Sequence, residues 1–235
     1  MWTRDELKTR GKAAMKANYW PSVAAGLLLT VCTGGSYAGA GSSSVNNLHD
    51  TQQSIESIPK EDIIMIVIAV LIAVSFILVV SSVFKILLLN PLQVGCRNFF
   101  HENLPAPASI NEALWGFQHG YGRNLLTMLL SGLFIFLWGL LFIIPGIIKS
   151  YSYRMVPYIL RDEPELSPME VISRSRDMMN GQKLNAFILD LSFIGWALLT
   201  ALTCGLAGIF YVGPYKAGTD AALYDAVKAD YEQYA

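Results

Sequence analysis

Charge is what this sequence is short of. Asp, Glu, Lys and Arg make up 15% of the residues, while 53% are hydrophobic. Soluble globular chains hold about 25% charged and 45–50% apolar residues, so an ordinary soluble domain is a poor description of this chain. Cysteine is also scarce. Cys32, Cys96 and Cys204 stand far apart with no C-x-x-C spacing, which argues against a zinc or disulfide framework. His101 and His119 have no metal-ligand spacing either, so no metal or other cofactor is expected. There is no Walker loop, no H-E-x-x-H and no G-x-S-x-G. These absences weaken an enzymatic reading while leaving an unusual intramembrane enzyme open. The formal net charge of −1 provides no basic field for nucleic acid.

What the chain has instead is long apolar runs. Four are clear: 19–40, 62–89, 124–144 and 184–203. Two weaker ones, 146–161 and 206–226, are interrupted by Lys149, Arg154, Lys216 and Asp220. Ile63–Leu89 carries one charge, Lys85, and at ~1.5 Å per residue it is long enough for a bilayer core of ~30 Å. Lys and Arg near span ends collect on the cytoplasmic side. Arg4, Lys8, Arg10, Lys12 and Lys16 therefore place the amino terminus inside, and the polar loop 41–61 lies outside. A four-span count would expose Lys149, Arg154, Arg161, Arg174, Arg176 and Lys183 externally. Tight external turns at Pro145-Gly146 and Cys204-Gly205 return both weak segments inward. The expectation is an all-α polytopic membrane protein with six transmembrane helices as three hairpins and both termini cytoplasmic.

The hairpins repeat. Three times a charged amphipathic segment leads through an asparagine into an apolar run: Glu6 to Asn18, Glu112 to Asn124, and Glu170 to Asn185. Lys16, Arg123 and Lys183 stand just before those asparagines. Periodicity of this kind marks a repeated unit, here with pseudo-repeats at about 1–95, 108–162 and 168–230 in a single integral domain. Glu112–Gln118 and Pro168–Met179 have helix-period apolar residues and are expected as interfacial helices. Ser167 and Pro168 supply a cap and a first-turn proline for the second. Pro91 with Gly95, Pro214 with Gly218, and Pro157 mark a kink in each returning helix. A discontinuous helix forming a substrate site is the functional alternative to that kink. The first forty residues share features with a secretory signal, including Ala38-Gly-Ala40, but Asp5, Glu6 and the match to the later repeats favour a retained segment.

The stretches Ile144-Pro-Gly-Ile-Ile-Lys-Ser-Tyr-Ser-Tyr, Val156-Pro-Tyr-Ile-Leu, Ser173-Arg-Ser-Arg-Asp-Met-Met-Asn-Gly, Leu189-Asp-Leu-Ser-Phe-Ile-Gly-Trp and Leu202-Thr-Cys-Gly carry a resemblance. The chain resembles the bacterial integral membrane proteins called domain of unknown function 975, over about residues 1–230. It is more weakly similar to the membrane domain attached to some glycerophosphodiester phosphodiesterases. The spans leave no room for the phosphodiesterase barrel, so its activity is not carried over. The resemblance implies a location in the bacterial cytoplasmic membrane and supplies no catalytic residues.

Ionisable groups inside spans are costly and point to a site or a tie. Asp190 lies within the fifth span, Lys216 and Asp220 four apart on the sixth, and Arg154 at similar depth on the fourth. These four are the candidate intramembrane polar site. They form either a helix-packing tie or the lining of a polar cavity. Arg174, Arg176 and Lys183 are candidate contacts for lipid headgroups at the inner leaflet. Three function classes follow. The first is a non-enzymatic scaffold, regulatory or protective component that works through the lipid bilayer and a membrane-protein partner. The second is a small transporter or export accessory with a site around Asp190, and the third is an intramembrane enzyme.

Overall fold

A computed structural model describes residues 2–33 and 60–234, and the regular elements among them are all helical. The Ala38-Gly-Ala40 stretch and nearly all of the expected external loop lie outside the described residues. Helix α1 (Arg4–Ala17) opens with the Thr3 hydroxyl accepting the Glu6 N–H, and its acidic residues sit in the first turn with Lys16 in the last. That distribution complements the helix dipole. Its buried residues, Leu7, Gly11, Ala14 and Met15, fall on one stripe. Asn18 separates α1 from the apolar α2 (Tyr19–Cys32).

Helix α3 (Lys60–Phe84) runs through a π-helical turn, Lys85–Leu89, into α4 (Asn90–Glu102). A 3₁₀ turn (Ile110–Leu114) and the short α5 (Trp115–Gln118) lead to α6 (Tyr121–Leu141). After it come α7 (Ile143–Ser152), α8 (Val156–Asp162), α9 (Pro168–Met178), α10 (Lys183–Leu191) and α11 (Ile194–Leu202). A second π-helical turn, Gly208–Val212, opens α12 (Gly213–Tyr234). Among the described residues three helical stretches are long and apolar enough to cross a membrane: Ile64–Glu102, Tyr121–Leu141 and Lys183–Leu202; Tyr19–Cys32 is apolar but shorter. Residues 64–84 of α3 are exposed along their whole length.

The weak segment 146–161 is two helices, broken at Tyr153–Met155. The α6–α7 reversal sits at Phe142, whose backbone is extended (φ −154°, ψ 141°), three residues before the expected Pro145. Pro145 falls in the first turn of α7, where a missing N–H costs nothing. Gly146 serves packing, since a β-carbon there would stand 2.7 Å from the Gly139 Cα. The other expected turn is present: Cys204 (φ 50°) and Gly205 (φ 89°) reverse the chain after α11.

Both π-helical turns lie just before a proline. A proline has no N–H for the carbonyl four residues earlier, which is Leu87 for Pro91 and Phe210 for Pro214. Each carbonyl is served by a tyrosine from another helix. Tyr121 Oη donates to Leu87 O at 2.8 Å, and Tyr19 Oη donates to Phe210 O at 3.1 Å. The extra residue of each π turn accommodates the proline without breaking the helix.

Each amphipathic segment packs on the returning helix of the preceding hairpin, and the arrangement closes on itself. The 3₁₀–α5 segment lies on α4, α9 lies on α8, and α1 lies on α12. Two of these crossings need glycine. A β-carbon on Gly95 would stand 2.0 Å from the Ala113 carbonyl oxygen, and one on Gly11 would stand 2.6 Å from the Thr219 nitrogen. At the third crossing the buried Ser175 hydroxyl donates to Ser152 O (2.8 Å) and accepts the Met155 N–H (3.2 Å). Helix α4 is the hub, touching α2, α6, α8 and α12. Its Phe99 and Phe100 pack in the hydrophobic core with Tyr158, Leu160, Leu189 and Tyr224. The Tyr158 and Tyr224 rings stack at 4.9 Å.

Two of the repeated asparagines tie these joints. Asn18 donates to Asn103 Oδ1 (2.7 Å) and Ala108 O (2.8 Å). Asn124, fully buried, donates to Gly116 O (3.0 Å) and His119 O (2.7 Å). Asn185 makes a weaker contact, donating to Gln182 Oε1 at 3.4 Å. Arg123 reaches across to the end of α8 and donates to the carbonyls of Leu160, Glu163, Pro164 and Leu166. A guanidinium there satisfies carbonyls that the helix end leaves open.

Candidate functional site

The four ionisable residues singled out within the apolar segments come together. Arg154 donates to Asp190 from both terminal guanidinium nitrogens, Nη1 to Oδ2 at 2.8 Å and Nη2 to Oδ1 at 2.9 Å. The same side chain reaches Asp220 Oδ1 at 2.7 Å. Lys216 Nζ lies 2.9 Å from Asp190 Oδ1 and also bonds Asp220, one helical turn along α12. A paired geometry of this kind is the strong form of a charge-assisted bond. Asp220 is 1% exposed and Asp190 30%, so the cluster is sealed at one carboxylate and open at the other.

Two further members were not singled out from sequence. Tyr151 Oη donates to Asp190 Oδ2 at 2.8 Å. Arg97 of α4 brings Nη1 to 3.9 Å from Asp220 Oδ2 and donates to Tyr158 Oη at 3.4 Å. A signal for Arg97 was present. It stands six residues after Pro91, as Asp220 stands six after Pro214, so equivalent positions of two repeats carry opposite charges and meet. The cluster joins α4, α7, the α7–α8 link, α10 and α12, with three cations against two carboxylates.

Removing one member of such a buried group costs about 3–5 kcal/mol, because the partner is left charged and unpaired. Replacing the charges together by apolar groups of similar volume is often neutral. These two responses separate a mechanical tie from a site that needs its charge.

A second polar layer lies beside the first. Asp162 accepts from Tyr224 Oη (2.7 Å) and pairs with Lys228 Nζ (2.6 Å). Burial lowers the affinity of the Lys228 amine for its proton, but Asp162 outweighs it and holds the pKa above its usual value. Asp225 bridges His101 Nε2 and Arg10 Nη2, each at 2.7 Å. Arg161 joins Glu102 (3.0 Å) to Glu112 (3.6 Å).

The three candidate headgroup contacts are not gathered in one place. Arg174 pairs with Glu163 at 3.1 Å and reaches Tyr231. Arg176 pairs with its exposed neighbour Asp177 at 3.2 Å. Lys183 opens α10 and is half-buried. Among the described residues no group of His, Cys, Asp and Glu is placed to hold a metal ion.

No curated protein and no solved structure matches the chain. A family model, that of the protein of unknown function DUF975, matches residues 62–231 and so takes in α3 to α12 with every member of the charge cluster. The chain belongs to the DUF975 family.

Proposed function

We propose that the chain is a non-enzymatic component of the bacterial cytoplasmic membrane that scaffolds, regulates or protects through the surrounding lipids and a protein partner. In this reading six spans form three hairpins entered from the cytoplasm, and the amphipathic segments line the inner leaflet. The long exposed apolar faces of α3 and α6 support the membrane setting. One observation supports the non-enzymatic part: both carboxylates of the central cluster are engaged by cations from other helices. Their charge is spent on holding those helices together.

The test replaces Asp190 by Leu and Lys216 by Met, singly and together, in the full chain. Each single change lowers the melting temperature of the purified protein, and the pair recovers much of the loss because no charge is stranded. Single variants as stable as the parent would sink the reading. A second reading, a small transporter or export accessory with a polar site around Asp190, draws on the partial exposure of that carboxylate and on the excess of cations around it. It expects the single variants to fold normally and the double variant to remain inactive.

A further inference from the structure

We infer that the groove between the π-helical turn before Pro91 and helix α6 holds one anionic phospholipid. The inference rests on the membrane setting proposed above and adds a ligand to it. The groove has two connected parts. One, of about 300 Å³, is lined by Lys85, Asn90, Gln93, Arg97, Ser131 and Arg154, among others. The other, of about 570 Å³, continues past Ile86, Leu129, Leu133 and Phe136. Lys85, Asn90, Met128 and Gly132 belong to both.

The two parts differ in chemistry as the two ends of a phospholipid do. At the polar end three cations meet amide and hydroxyl side chains, and among the described residues no carboxylate lines either part. Asp190 and Asp220 stand behind this wall, bonded to Arg154. Among the described residues Lys85, Arg97, Arg154 and Lys216 lie around two carboxylates, Asp190 and Asp220, so positive charge predominates here. A phosphate headgroup supplies the opposite sign. The apolar end is an open channel against α6 suited to an acyl chain.

Gly132 sits where the two parts of the groove meet. It lines both parts, and a β-carbon there would meet nothing within 4 Å. A larger side chain would therefore fill the groove and leave the helix crossings untouched. Lys85 lies on the exposed side of the π-helical turn and makes no ion pair among the described residues. Its loss removes charge from the groove without breaking the cluster.

The experiment purifies the full chain in mild detergent and titrates it with dioleoyl phosphatidylglycerol, dioleoyl phosphatidylcholine and inorganic phosphate, reading bound ligand by native mass spectrometry. One phosphatidylglycerol is expected per chain, in preference to phosphatidylcholine and to phosphate alone. Gly132→Phe abolishes that binding while the protein stays monodisperse, and Lys85→Gln weakens it about five-fold, as loss of one cation worth ~1 kcal/mol implies. Equal binding by the parent and both variants overturns the assignment. So does binding of free phosphate as strong as that of the lipid, or no preference for the anionic lipid. Alkaline carbonate washing of membranes separates the two levels. A parent chain that washes off sinks the membrane setting and the groove together, whereas one that stays but binds no phosphatidylglycerol sinks the groove alone.

Discussion

The hydroxyl of Tyr121 donates to the carbonyl of Leu87, the group that Pro91, four residues on, has no N–H to serve. Tyr19 does the same for Phe210 ahead of Pro214. In apolar surroundings an unserved carbonyl is expensive. Tyr121→Phe and Tyr19→Phe should each cost about 1 kcal/mol, and the double variant the sum, since the two sites share no partner. Equilibrium unfolding of the purified protein measures this. A stability unchanged in either single variant would show that the carbonyls are satisfied elsewhere.

Glycine is required at the helix crossings and not along the groove. Gly95→Ala pushes a methyl against the Ala113 carbonyl and should cost about 3 kcal/mol through displaced backbone. Gly132→Ala meets open space and should be neutral or stabilising by up to ~1 kcal/mol through helix propensity. Comparing the two melting temperatures decides the point.

Arg123 holds four carbonyls around the end of α8 with one planar group. Lysine carries a single ammonium and cannot span them. Arg123→Lys is therefore expected to cost about 2 kcal/mol, although it keeps the charge. A variant as stable as the parent would show that the charge alone matters.

Helix α9 begins in a capping box: Glu170 Oε2 accepts the Ser167 N–H at 2.7 Å. Hydrogen bonds from Ser167 hold the Glu170 carboxyl below its ordinary 4.5. A depressed carboxylate stabilises the fold fully above the unfolded value, and that stabilisation is lost as pH falls through the folded value. Thermal melts of the parent should therefore lose stability below about pH 4.5. Glu170→Gln, which caps without titrating, should lose less over the same interval. Parallel curves for the two proteins would remove Glu170 from the acid response.

Much of this architecture was legible in the sequence, and the residues show why. Ser167 with Pro168 announces α9 because capping is local chemistry. Asn18 stands at the α1–α2 junction and Asn124 in the first turn of α6, but Asn18 bonds Asn103 and Ala108 far along the chain, a pairing that local chemistry does not announce. Asp190, Lys216, Asp220 and Arg154 drew attention because charge in an apolar run must find partners. The reversal at Phe142 is not legible because any residue adopts the extended backbone found there. The burial of Arg97 comes from helices far along the chain, which its local sequence does not display. The break between α10 and α11 at Ser192-Phe193 likewise has no proline or glycine to mark it.

The closure of the amphipathic segments on one another has a consequence for biosynthesis. Helix α1 takes its main seat on α12, where Gly11 meets Thr219 far along the chain. Until α12 arrives, Arg97 and Arg154 also wait for Asp220. Packing of these segments is thus deferred until α12 has been made, and a chain cut short before Asp220 leaves Arg97 and Arg154 without that carboxylate.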